Sequence, residues 1–185
     1  MFLLALIIAV LAGYLLKGSL KNIDAAKIKG LYFVFAAFAL EFIVIQLLKR
    51  GYLAIGTLTF VLDLIMYSFL LAFIYLNKSN KWIMLVGIGV LLNAVVIFSN
   101  GGAMPVDISS IRALGFTGEV ASQGLYVELG EATRFKYLAD IIPIKFPKPG
   151  VASIGDIVEA AGLALYVITE MRKKKDNISY VKLPQ

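Results

Sequence analysis

The chain has 185 residues, 60% of them hydrophobic and 16% charged, with a mean hydropathy of +0.86. Soluble domains average about 45–50% apolar and about 25% charged residues, so this chain has too little polar surface to be covered by water. It contains no Cys and no His, which excludes disulfides, thiolate metal sites, cysteine nucleophiles and imidazole base chemistry. The formal net charge of +6 reads on so apolar a chain as topology-setting, lipid-facing charge rather than a nucleic-acid surface. The class is an all-α integral membrane protein forming one domain.

Five apolar runs mark a bundle of five transmembrane helices, each needing about 20 residues. The first, residues 2–16, starts at the initiator and stops at Lys17. It lacks the basic leading region and small-residue cleavage site of a signal peptide, so it is expected to be retained. The others cover residues 30–48, closed by Lys49-Arg50; 57–76; 82–98; and 153–171, closed by Arg172 and three lysines. Trp82, Tyr14, Tyr52 and Tyr75 stand near span ends, where amphipathic rings anchor at the interface. Alternating connections give one side eleven Lys and Arg and the other seven. By the positive-inside rule the N-terminus is outside and the tail 172–185 cytoplasmic, in a bacterial inner membrane.

The connection 99–152 is expected to be an ordered, partly helical extracytoplasmic lid between helices four and five. A structureless loop beyond about 12–15 residues is uncommon in a compact domain. This one carries Ile108, Ile111, Leu114, Phe116, Leu125, Tyr126, Phe135, Leu138, Ile142 and Phe146, too much apolar surface to leave in water. Helices are expected near Val106–Leu114 and over Glu131–Ile142, where Phe135, Leu138, Ala139 and Ile142 recur at three- and four-residue intervals. Pro143, Pro147 and Pro149 then impose an extended approach to the last span.

Two short motifs are helix punctuation first. Ser153-Ile154-Gly155-Asp156 has the form of a capping box, with Asp156 three residues after the Ser153 cap. Asn100-Gly101-Gly102-Ala103-Met104-Pro105 follows the fourth span as a helix stop and turn, and its paired glycines also admit close approach of a ligand or second backbone.

Ionisable residues inside apolar runs carry more information. Glu41, Asp63 and Glu159 lie within the second, third and fifth runs, and Glu159, three residues past Asp156, shares its helix face. With a rise of about 1.5 Å per residue, Glu41 lies about 12 Å, Asp63 and Glu159 about 9 Å and Asn93 about 10 Å below the outer boundary. A carboxylate in hydrocarbon costs about 2.5–3.5 kcal/mol and is retained where it faces a partner or a watery cavity. Together with Asn100 and Asp140, these residues predict one outward polar pocket. Compensation has to come from lid cations such as Arg112 and Arg134, from retained protons, or from a cationic ligand or metal.

Asn93, the Asn100–Pro105 turn, Leu138-Ala139-Asp140-Ile141-Ile142-Pro143, and Ser153–Asp156 followed by Gly162 resemble, in order and spacing, a family of small bacterial integral membrane proteins without an assigned activity. The resemblance spans essentially the whole chain. It implies a bacterial inner-membrane location and contributes no chemistry, and Glu41 and Asp63 are outside the pattern that carries it.

Three functions stay open. One is a non-enzymatic protein binding a small or lipid-derived ligand in the outer-leaflet pocket, as a transporter component. Another is a membrane enzyme acting on a lipid head group, with Asp63, Asp156 and Glu159 holding Mg²⁺ through oxygen ligands. The third is a scaffold or sensor subunit completed by a membrane-protein partner or a second copy. No cofactor and no resident metal are assigned.

Overall fold

The computed structural model describes residues 1–115, 125–146 and 149–173. Five long helices dominate it: α1 (Phe2–Leu15), α2 (Leu31–Lys49), α3 (Thr57–Leu76), α4 (Lys81–Ser99) and, after the lid, α6 (Ile154–Arg172). Their bounds fall within one residue of the apolar runs, because charge, glycine or a side-chain cap ends each run. Asn80 caps α4 by accepting from the amides of Trp82 and Ile83. Ser153 caps α6 by accepting from the Asp156 amide, while Asp156 accepts from the Ser153 amide.

Three of these helices, α2, α3 and α4, are long and apolar enough to cross a membrane. α1 is apolar but has only 14 residues, about 21 Å at about 1.5 Å per residue. α6 has 19 residues but carries Asp156, Glu159, Glu170 and Arg172.

The helices pack as an arc in the order α2, α3, α4, α6, α1. Ala37, Met66, Tyr67, Ile74, Ile83 and Val90 form the core between α2, α3 and α4, and a second cluster joins α1 to α6, where Ala9 packs with Val167 and Met171. The tightest pair is α4 with α6: a Cβ at Gly155 would fall on the Asn93 side chain and 2.8 Å from the Gly89 carbonyl oxygen. Small residues at such a crossing let backbones approach, and van der Waals packing is then the cohesive force.

One end of the bundle gathers the C-terminal ends of α1, α3 and α6. The Ser19 amide and the Asn22 side chain both donate to the Met171 carbonyl, and Asn77 exchanges hydrogen bonds with the Lys29 backbone at 2.7 and 3.0 Å. The lid closes the other end.

The lid departs from the all-α expectation. Strand β1 (Met104–Val106) pairs in parallel with β2 (Tyr126–Glu128), and β3 (Ile142–Ile144) pairs antiparallel with β4 (Gly150–Ala152). Val106 also bridges Asp140. Three-residue strands are too short to show an alternating pattern, and these form because backbone groups drawn onto the bundle end need partners. The first lid helix is α5 (Ile108–Ala113), capped by Asp107, with Val106 in β1 instead. The helix expected over Glu131–Ile142 is absent. Only one 3₁₀ turn, Lys136–Leu138, forms there, preceded by Phe135 at φ 55° and followed by the Asp140 bridge and β3. Its helical spacing loses to strand pairing on either side of Pro143. Phe116, Pro147, Lys148 and the tail 174–185 lie outside the described residues.

Candidate functional site

A cavity of about 160 Å³ opens where α2, α3, α4, α6 and the lid meet. Glu41 and Ile45 come from α2, Asp63, Met66 and Tyr67 from α3, Asn93 and Ile97 from α4, and Asp156 from α6. The lid adds Gly102, Met104, Leu125, Tyr126 and Asp140. Five of the sequence-predicted residues, Glu41, Asp63, Asn93, Asp140 and Asp156, therefore share one site.

Each is positioned by its own element. Asp63 is 3% exposed, one helical turn before Tyr67 on the same face of α3. Asn93 is the hub of the α4–α6 seam: its Nδ2 donates to Asp156 Oδ1 at 3.0 Å and to Glu159 Oε1 at 3.1 Å, and its Oδ1 accepts from the Ser153 hydroxyl at 2.7 Å. Glu159 thus lies behind the cavity wall, tied to Asn93.

The lid holds Asp140 over the opening by backbone pairing. The Asp140 amide donates to the Pro105 carbonyl and its own carbonyl accepts from the Asp107 amide. Asp140 is 4% exposed, and its Oδ1 has no hydrogen-bond partner among the described residues. Burial, with the Asp156 carboxyl nearby, pushes it up to about 8. Asp107 behaves in the opposite way: the Ser109 and Ser110 hydroxyls bonded to it hold its carboxyl below the ordinary value. The Tyr126 phenol is pushed up by burial first and by Asp140 and other acids next, so it remains a donor.

Besides Glu159, three predicted residues do not line the cavity. Asn100 is a structural pin: its Nδ2 donates to the Val96 and Arg134 carbonyls, and its Oδ1 accepts from the Arg134 amide at 2.9 Å. Arg112 and Arg134 are exposed, and neither makes an ion pair with a described carboxylate. The two ion pairs among the described residues, Lys27 with Asp24 and Lys173 with Glu170, belong to the opposite end of the bundle. Lid arginines therefore do not neutralise the site, because the pairing that brings Asp140 inward leaves both facing solvent. Nor do three carboxylates among the described residues converge closely enough to hold a metal ion, so the arrangement expected for Asp63, Asp156 and Glu159 around Mg²⁺ is not formed.

The residues missed at the site are Tyr67, Met66, Ile45, Ile97, Met104, Gly102, Leu125 and Tyr126. Tyr67 had a signal, standing four residues from Asp63 on one helix face. Gly102 did too, as one of the paired glycines that admit close approach; in the structure it has φ 83°, and a Cβ there would meet Phe60 at 3.0 Å. Tyr126 had none, since its place depends on β1–β2 pairing.

A model of the Family of unknown function (DUF5317) matches residues 25–168, which include every residue lining the cavity. A protein of Thermotoga maritima described as uncharacterized is 30% identical over 175 residues, covering 92% of this chain and 90% of the relative. No solved structure matches the chain.

Proposed function

The chain belongs to the Family of unknown function (DUF5317), and from that premise we propose that it binds a small or lipid-derived ligand in the polar cavity, as a component of a membrane transport system. The observation that carries this is the cavity itself, which gathers carboxyl groups from three helices and the lid with no cationic side chain among the described residues lining it. Charged groups are expensive at membrane depth and are kept where they meet a partner, water or a ligand.

The same reading takes α1 and α6 as further spans, giving five. Support comes from Leu3, Ile8, Leu11 and Leu15 of α1, which are exposed and suit lipid, and from the shared end of α1, α3 and α6. Lys17, Lys21, Lys27, Lys29, Lys78, Lys81, Arg172 and Lys173 cluster at that end or beside it, which suits the cytoplasmic face of a bacterial inner membrane. The N-terminus and lid are then outside.

Native mass spectrometry of the purified protein tests the binding reading. The wild type is expected to carry a retained non-covalent mass that Asp63→Leu loses. A wild type with no retained mass, in detergent and in nanodiscs alike, overturns it.

A further inference from the structure

We infer that the cavity takes a small organic cation, an ammonium or guanidinium group seated among Glu41, Asp63, Asp140 and Asp156, with its carbon skeleton against Tyr67 and Tyr126. This rests on the ligand-binding reading above and names its ligand class.

Four carboxyl groups face one space, and no Lys or Arg among the described residues lines it. An anion finds no positive partner there among the described residues, whereas a cation pairs with these groups by taking the place of the protons they retain when the cavity is empty. Asp140 supplies an independent pointer: it is 4% exposed, lines the cavity, and its Oδ1 lacks a donor among the described residues. Buried acceptors are normally paired, so this oxygen is an acceptor awaiting one.

The carboxyl groups surround the space rather than converging on a point, and no three of those described can share a metal ion. An ammonium with three N–H donors, or a guanidinium with five in a fork, answers several separated acceptors at once. Aromatic faces attract such cations, and Tyr67 and Tyr126 supply rings beside the acids. The volume of about 160 Å³ is close to a dry cavity of about 150 Å³ that accommodates benzene. The enclosed group is therefore about six non-hydrogen atoms in size: a short amine, or the amine end of a larger molecule such as an aminophospholipid.

The test is titration calorimetry on the full chain in phosphatidylglycerol nanodiscs, using 1,4-diaminobutane, ethanolamine, 1,4-butanediol, inorganic phosphate and Mg²⁺ as separate probes. An amine is expected to bind at least ten-fold more tightly than butanediol. Asp140→Asn and Asp63→Asn should each weaken it at least ten-fold, and Glu131→Gln on the exposed lid surface should leave it unchanged. If one variant fails to fold, the other carries the comparison. A second arm adds phosphatidylethanolamine to the nanodiscs. Loss of amine binding, with the lipid retained in native mass spectrometry, assigns the group to a headgroup; undiminished binding assigns it to a free amine. Butanediol or phosphate binding as tightly as the amines, Mg²⁺ binding that amines do not displace, or no amine binding in either arm overturns the inference. A retained neutral or anionic mass lost in Asp63→Leu sinks this inference alone. Absence of any retained mass and of any probe binding sinks the ligand-binding reading with it.

Discussion

Asp140 and Asp107 lie in one lid and have opposite fates. Asp107 is satisfied by two hydroxyls and two amides of its own turn, whereas Asp140 is drawn under the lid by pairing with β1 into a cavity whose other titratable groups are Glu41 from α2, Asp63 and Tyr67 from α3, Tyr126 from β2 and Asp156 from α6, alongside Asn93 and apolar side chains. Its carboxyl holds a proton up to about pH 8 when folded and releases it near 3.8 when unfolded. Between those values the folded state binds the extra proton, so this group's contribution falls as pH rises through the window. Asp140→Asn removes the ionisation. In the ligand-free protein it should raise stability at pH 8.5 by about 1–3 kcal/mol, the scale of one unsatisfied buried polar group, and change little at pH 4. Thermal unfolding at both pH values measures it; an Asp140→Asn protein less stable than wild type at pH 8.5 contradicts this reading. Sequence placed Glu41, Asp63, Asn93 and Glu159 at a common depth because helical rise converts residue number into distance, though Glu159 lies behind the cavity wall, tied to Asn93. The same arithmetic could not place Arg112, Arg134 or Asn100, whose positions depend on how the lid folds.

At the level of elements, legibility follows length. The long helices announce themselves through runs of 14 to 20 residues bounded by caps and charges, and the Ser153–Asp156 box forms as its spacing requires. The lid strands, three residues each, carry no periodic signal, and the spacing across Glu131–Ile142 imitates a helix until Phe135 turns left-handed and Pro143 joins a hairpin. Small residues, Gly87 and Gly89 in α4 and Ala160, Ala161, Gly162 and Ala164 in α6, permit a close α4–α6 seam, but the specific fit of Gly155 to Asn93 has no signal in the sequence. That fit is testable. Gly155→Ala puts a methyl onto the Asn93 side chain, so α4 and α6 must part or Asn93 must release Ser153 and both acids. Overpacking of this kind costs about 1–3 kcal/mol. Gly130→Ala is the control, since nothing lies within 4 Å of a Cβ there and its φ is not positive. A lowered unfolding temperature is expected for Gly155→Ala, with none for Gly130→Ala; equal temperatures would show that the seam tolerates the methyl.

For the whole molecule, the question is which end of the bundle meets the cytoplasm. Alternation along the arc puts the start of α1, the lid and the start of α6 at one end, and the Ser19–Met171 and Lys29–Asn77 ties at the other. The second end carries most of the basic residues, with Lys78 over the Tyr75 ring and Lys81 over Trp82, an arrangement suited to a charged, aromatic interface. Because the chain has no native Cys, single cysteines report sidedness without background. Tyr137 on the lid is 83% exposed, and Ser79 lies exposed in the turn between α3 and α4. In intact cells with a permeable outer layer, an impermeant maleimide should label Tyr137→Cys and spare Ser79→Cys until the inner membrane is opened. The reverse pattern would turn the molecule over and make the cavity face the cytoplasm. Labelling of both from outside would mean that an odd number of crossings does not separate them, and the five-span reading would fall with it.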